Sequence, residues 1–327
     1  MRRFASRIFT VLACALVVNE AGAQAPAPMP GAAGEAKKVA EPLQPGLHER
    51  TVKLNEHERN YLVYVPKSYD AGRPTPVVLC YHGAATNGAI TIALTGLNRK
   101  AEEAGFVVVY PDGTSRNGVV FTWNSGGIPS QVEDSKRDDV QFTAILLDDL
   151  ATVVNTDKRR IFATGISNGG MMCHRLGVEL SDRIAAIAPV AGTLSLEKPK
   201  PVRPMPVLQI HGTTDTLVPW DGPNPRIPAI VRFRGVDDTL QFWIQHDACE
   251  STPREEQFPN KADDGTTVTR YTYAGGKQGS EVVLVKIHNG GHTWPGRDVK
   301  LAILGKTTKD ISANDLIWEF FQRHPLP

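Results

Sequence analysis

Arg159 to Leu176 reads RRIFATGISNGGMMCHRL, and within it a serine stands between glycines: Gly165-Ile166-Ser167-Asn168-Gly169. A strand-like run, Ile161-Phe162-Ala163, leads in; apolar residues at helical spacing, Met171, Met172, Leu176 and Leu180, lead out. In a chain with 29 glycines the G-x-S-x-G pattern alone is a weak signal. Between a strand and a helix it gains a mechanical reading. A strained turn lifts the serine hydroxyl above the edge of a sheet, and glycines stand where a side chain would strike neighbouring elements. The competing reading is an ordinary glycine-rich turn, and the serine's partners decide between them.

The same strand-to-helix pattern recurs. PVVLCYHG, GFVVVYPDG, IFATG, IAAIAPVAG, MPVLQIHG and VVLVKIHNGGH are continuous apolar runs, as in strands buried on both faces. Helical patterns separate them at 97–104, 138–154, 169–180 and 236–246, and a closing helix over 313–323 gathers Leu316, Ile317, Phe320 and Phe321 on one side. HERTVKLNEHERNYLVYVP alternates on both sides of Asn55-Glu56-His57, which predicts an opening antiparallel hairpin. The class is α/β: a mostly parallel sheet with helices on both faces. Ligands in such sheets bind outside the carboxyl ends of the strands.

The 327 residues carry 36 basic and 35 acidic side chains, a net charge of +1 that leaves no footprint for nucleic acid or an anionic membrane. Residues 1–23 read as a secretory signal peptide: Arg2, Arg3 and Arg7, then apolar Ile8 to Val18, then Ala21-Gly22-Ala23. That stretch is too short to span a membrane, and no other long apolar run follows. A lipid-bearing Cys14 is the alternative reading of the leader. Residues 24–45 read as a Pro/Ala-rich flexible linker, and 46–327 as one folded domain. Cys80 and Cys173 fall in apolar elements and read as buried thiols. Without C-x-x-C or H-E-x-x-H spacing, neither a metal nor a cofactor is expected.

A serine hydroxyl needs a base to take its proton and a third group to orient that base. His292 lies in the glycine-rich loop HNGGHTWPG after a strand, with His288 as its nearest rival. His48, His57 and His324 lie near the domain ends and read as solvated, His174 and His246 as structural helix residues, and His82 and His211 as turn formers. Asp215 stands just past a strand end in MPVLQIHGTTDTLVP, with Asp221 farther along the loop. Ser167, Asp215, His292 is the chain order of α/β-hydrolases. The oxyanion donors expected are the backbone N–H of Asn168, at a helix N-terminus, and of Ala84, after Gly83.

YHGAATNG, VVVYPDGT, TWNSGG, ATGISNGGMMCHRL, LQIHGTTDTLVPW and GGHTWPG together resemble the polyhydroxybutyrate depolymerase-like esterases, α/β-hydrolases related to feruloyl and acetylxylan esterases. The resemblance runs from about Gly46 to the C-terminus and carries the catalytic residues onto Ser167, Asp215 and His292. It also carries two tryptophans onto Trp123 and Trp294, which with Trp220 are expected to line the rim that meets substrate. The chain departs from the family pattern in two respects: Ala84 and GGIPSQ stand where relatives often carry cysteines, and Cys249 lacks its usual partner.

The resemblance implies a secreted serine esterase that cleaves carboxylic esters through an acyl-enzyme, with hydroxyalkanoate oligomers or polyester as substrate. The runner-up is a feruloyl or acetylxylan esterase acting on plant cell-wall esters. A non-catalytic carbohydrate-binding protein on the same fold is the alternative of another class.

Overall fold

The computed structural model describes residues 41–115, 120–127, 138–298 and 301–327. The expected leader, Cys14 and most of the linker lie outside these. Leu43 already donates its N–H to the Val153 carbonyl at 2.9 Å, just ahead of the first strand.

The opening alternation forms β1 (Gly46–Leu54) and β2 (His57–Val65), antiparallel and joined through Asn55 at φ 49°. Then follow β3 (Thr75–Tyr81), α1 (Gly88–Thr95), α2 (Leu97–Ala104) and β4 (Val107–Pro111). A small ladder of β5 (Thr114–Ser115) and β6 (Phe121–Thr122) precedes α3 (Asp139–Leu150). The second half runs β7 (Thr156–Ile166), α4 (Asn168–Glu179), β8 (Ala186–Val190), β9 (Val207–Gly212) and α5 (Val236–Asp247). It closes with β10 (Arg254–Gln257), β11 (Thr267–Tyr273), β12 (Val282–His288) and α6 (Ala313–Arg323).

The main sheet is 10-stranded, in the order β1-β2-β4-β3-β7-β8-β9-β12-β11-β10. From β4 to β12 all neighbours are parallel, and antiparallel pairs flank both sides. The chain leaves β3 toward β4 and returns to its other side as β7. Strand order therefore reverses between β3 and β7, the place where a ligand crevice opens in such sheets.

Successive strand residues alternate between two cores. Val77, Leu79 and Tyr81 join Phe142, Met172 and Trp243 on the face of α3, α4 and α5. Val78 and Cys80 join Leu97, Trp318 and Phe321 on the face of α2 and α6. This double burial explains the continuous apolar runs. Ring stacking seats α6, with Phe321 on Phe162 at 4.5 Å and Trp318 on Phe106 at 4.4 Å. Each of the three fully buried phenylalanines contributes about 1.5–3 kcal/mol.

Several described elements differ from the sequence expectation. Helix α1 begins at a glycine and is rich in β-branched residues, but Asn87 caps it by accepting the Ile90 N–H at 2.9 Å. Strand β11 carries arginine and threonines, and β10, Arg-Glu-Glu-Gln, is exposed throughout, a charged edge that discourages pairing with another chain. Helix α3 stops at Leu150, short of the expected 154, because Thr152-Val153-Val154 turn back on its last carbonyls. Cys80, Cys173 and Cys249 are all free thiols, and no described helix is long and apolar enough to cross a membrane.

Candidate active site

Ser167 follows the last residue of β7 and caps α4 with φ 60° and ψ −124°, a backbone region unfavourable for any residue with a Cβ. Every other residue from 161 to 170 is buried; Ser167 alone is half-exposed. The glycines around it answer to one neighbour. A Cβ on Gly165 would fall 2.6 Å from the Tyr81 carbonyl oxygen, and one on Gly169 would fall 2.2 Å from the same atom. Strand β3 runs so close to the turn that neither position can hold a side chain.

Tyr81 pairs in register with Gly165, which brings the loop after β3 beside Ser167. A Cβ on Gly83 would lie 3.5 Å from that of Ser167. The next loop residue with an engaged N–H is Ala85, which donates to the Phe121 carbonyl at 2.8 Å. Among the described residues no acceptor takes the Ala84 N–H. The Asn168 N–H, at the start of α4, likewise has no acceptor among them. Its side chain is committed: Oδ1 accepts the Trp123 N–H at 2.7 Å, while Nδ2 donates to the Trp123 carbonyl and Ser125 Oγ, each at 3.2 Å.

Asp215 and His292 meet beyond the ends of β9 and β12, on the same side of the β3–β7 reversal as Ser167. His292 Nδ1 lies 2.7 Å from Asp215 Oδ2, and Asp215 Oδ1 accepts the N–H groups of Leu217 (2.9 Å) and Val218 (2.8 Å). The two loops are fastened together: Thr214 donates from its backbone (2.9 Å) and its hydroxyl (2.8 Å) to the Gly290 carbonyl. Burial pushes the Asp215 carboxyl up, but the charge and hydrogen bond of His292 outweigh it and hold it below the usual range. With Nδ1–H given to the carboxylate, His292 keeps a lone pair on Nε2. The rivals stand apart: Asp221 is exposed, and His288 bonds Thr269 Oγ1 at 3.2 Å.

The rim expectation needs correction. Trp123 and Trp294 are both 0% exposed and cannot meet substrate at the surface. Trp123 lies under the loop after β3, where its Nε1–H donates to the His82 carbonyl at 2.9 Å. Trp294 Nε1–H is bound by Asn314 Oδ1 at 2.9 Å. Both tryptophans brace loops. Trp220 remains half-exposed, with Lys286 Nζ 4.8 Å above its ring.

Several buried histidines prove to be bracing groups rather than turn formers or solvated residues. His82 Nδ1 bonds the Gly83 carbonyl at 2.7 Å and its Nε2 accepts the Gly113 N–H at 2.9 Å, with burial lowering its pKa to about 4. His211 lies beneath Asp215, and His324 bonds Glu281 at 2.9 Å. The signal that could have found His82 and His211 is their shared His-Gly position at the ends of β3 and β9. Among the described residues no cluster of His, Cys, Asp and Glu could hold a metal ion.

The family model Esterase, described as Putative esterase, matches residues 53–259, a span that holds Ser167 and Asp215. The putative esterase NocK of Nocardia uniformis subsp. tsuyamanensis is 32% identical over 76% of this chain and 74% of its own length. Feruloyl esterase B of Piromyces equi is 28% identical over 72% of this chain, and the bifunctional acetylxylan esterase/xylanase XynS20E of Neocallimastix patriciarum is 25% identical over 74%. The matches span only 42% and 32% of those two proteins. In structure, an acetyl xylan esterase from Aspergillus awamori superposes with a TM-score of 0.59 over 84% of this chain and 99% of that one, at 14% identity. The fold is that of the α/β-hydrolases.

Proposed function

We propose that this chain, which belongs to the Esterase family, hydrolyses carboxylic esters through an acyl-enzyme formed on Ser167. The observation that carries the mechanism is the buried Asp215–His292 pair on the same strand-end rim as the strained Ser167 turn. In this reading His292 Nε2 takes the Ser167 hydroxyl proton as Oγ attacks the ester carbonyl. The N–H groups of Ala84 and Asn168 receive the developing oxyanion. His292 returns the proton to the departing alcohol, and water then releases the acid by the same route. No cofactor takes part.

For the substrate, the names of the relatives favour feruloyl or acetyl esters of polysaccharide. The motif resemblance supports hydroxyalkanoate oligomers as a second reading. Burial of Trp123 and Trp294 removes much of the aromatic rim that a flat polyester chain would use. The basic, apolar and small-residue blocks of residues 1–23 support export, with 46–327 as the catalytic unit. Turnover by purified protein on methyl ferulate, acetylated xylan and hydroxybutyrate trimers ranks these classes. A chromophore burst from an activated ester, abolished by a serine-directed inhibitor, tests the acyl-enzyme. No burst and no turnover on any of them would favour a binding protein on this fold.

A further inference from the structure

A line of hydrogen bonds crosses the buried interior from α5 to the Val218 carbonyl, beside Asp215. Trp243 Nε1–H donates to His174 Nδ1 at 3.1 Å, and His174 Nε2 lies 3.1 Å from Gln209 Oε1. Gln209 Nε2 donates to the Gly192 carbonyl at 3.0 Å and lies 3.2 Å from His211 Nδ1. His211 Nε2 lies 2.9 Å from the Val218 carbonyl and 3.5 Å from Asp215 Oδ2, the oxygen that holds His292. Trp243, His174, Gln209 and His211 are at most 1% exposed.

The direction of every bond follows from groups that have one role only. An indole N–H can only donate, so His174 Nδ1 accepts and its Nε2–H donates to Gln209 Oε1. From the other side, the Gly192 carbonyl can only accept, so the Gln209 amide nitrogen faces it and also faces His211 Nδ1. His211 Nδ1 therefore accepts and its Nε2 carries the proton, which the Val218 carbonyl requires independently. The two ends give one assignment.

We propose that His211, locked as a neutral Nε2–H donor by Trp243, His174 and Gln209, is a positioning residue for the Asp215–His292 pair. The proposal rests on the triad reading above. Asp215 Oδ2 faces two imidazoles, of which only His292 should change charge during turnover. A His211 that took up a proton would form its own ion pair with the carboxylate and weaken the hold on His292. One that turned a lone pair toward Oδ2 would repel it. The lock excludes both, and burial lowers the pKa of His211 in the same sense. The titratable neighbours of His211 are His174 on one side and Asp215 and His292 on the other. Beyond the Trp220 ring, 6.0 Å away, lie Lys286 and Asp237.

The test compares His211→Leu, His211→Gln and Trp243→Phe. His211→Leu should lower kcat on a soluble ester about tenfold with KM within about twofold, since a small misplacement of a reacting group slows chemistry without loosening substrate. His211→Gln, whose amide nitrogen can take the place of Nε2–H, should recover most of that loss. Trp243→Phe keeps an aromatic side chain but removes the first donor, and should lower kcat in part. It carries the test if His211→Leu does not fold. The Nδ1–H proton resonance of His292, followed by NMR in the Ser167→Ala background, should shift in His211→Leu, because the carboxylate that accepts this proton loses the polar N–H beside it. Unchanged kcat and an unchanged His292 Nδ1–H resonance in the folded variants, or equal impairment by Leu and Gln, would overturn the proposal. Activity retained by Ser167→Ala alone would instead overturn the nucleophile, and the His292 Nδ1–H resonance would still read the lock.

Discussion

Asp215 Oδ2 and His292 Nδ1 stand 2.7 Å apart, brought together across 77 residues of chain by the adjacency of β9 and β12. The carboxylate's other oxygen is held by two backbone N–H groups, so the imidazole meets a fixed acceptor. Asp215→Asn preserves that shape but offers an N–H where His292 needs an acceptor, which favours the wrong tautomer. It should lower kcat by a factor of about ten thousand, the loss that the same change causes in the triad of a trypsin-like protease. Asp221→Asn, at an exposed position, should leave kcat near the wild-type value. Steady-state kinetics on a soluble ester checks both, and a larger loss from the second would reassign the orienting acid.

Ser167→Ala should abolish turnover while leaving the melting temperature close to wild type, because the half-exposed hydroxyl is not needed for packing. In subtilisin the comparable loss is about a millionfold. His292→Ala should be as damaging, and the double variant no worse than either single one. Additive losses would mean that the two residues do not act as a unit.

The glycines give a contrast that packing alone decides. Gly169→Ala would drive a Cβ to 2.2 Å from the Tyr81 carbonyl oxygen and 2.6 Å from that of His82, and neither backbone can retreat without opening β3 from β7. A destabilisation of roughly 3 kcal/mol is expected, with activity lost. Gly83→Ala meets its nearest neighbour at 3.5 Å, so its stability should stay within about 1 kcal/mol of wild type. Urea unfolding of the two variants side by side reads the difference.

The triad candidates are legible in sequence because each stands just beyond a strand whose apolar run announces it, and chain order alone then limits the partners. Trp123 and Trp294 mislead for a physical reason. A tryptophan in a glycine-rich loop looks exposed in sequence, but a loop that must hold backbone donors still needs something beneath it, and here the indoles provide it. The side chain of Asn168 is equally hidden: its role is to pair with the main chain of Trp123, a contact across 45 residues that no local pattern encodes. Strands β10 and β11 escape because edge strands carry polar and charged residues instead of a core pattern.

Stability should fall as the pH drops from 7 to 5. His82 and His174 are fully buried, and burial lowers both to about 4 in the folded protein, against about 6.5 in the unfolded chain. Between those values the unfolded state binds protons that the folded state refuses, so unfolding becomes easier as pH falls. Each histidine then accounts for about 2 kcal/mol of lost stability between pH 7 and 5. His211, also lowered by burial, adds in the same direction. Asp247 opposes them. Burial raises its pKa to about 6, so protonation near pH 5 relieves about 1 kcal/mol of strain. Asp215 and Glu281, both held below the usual carboxylate range, contribute equally at pH 7 and 5, because both values lie above the unfolded carboxylate pKa. The balance is a net loss of about 2 kcal/mol or more, which urea midpoints at the two pH values would register. A midpoint that stays level or rises toward pH 5 would mean that these histidines accept protons in place, and that the loop after β3 is not braced by a neutral His82.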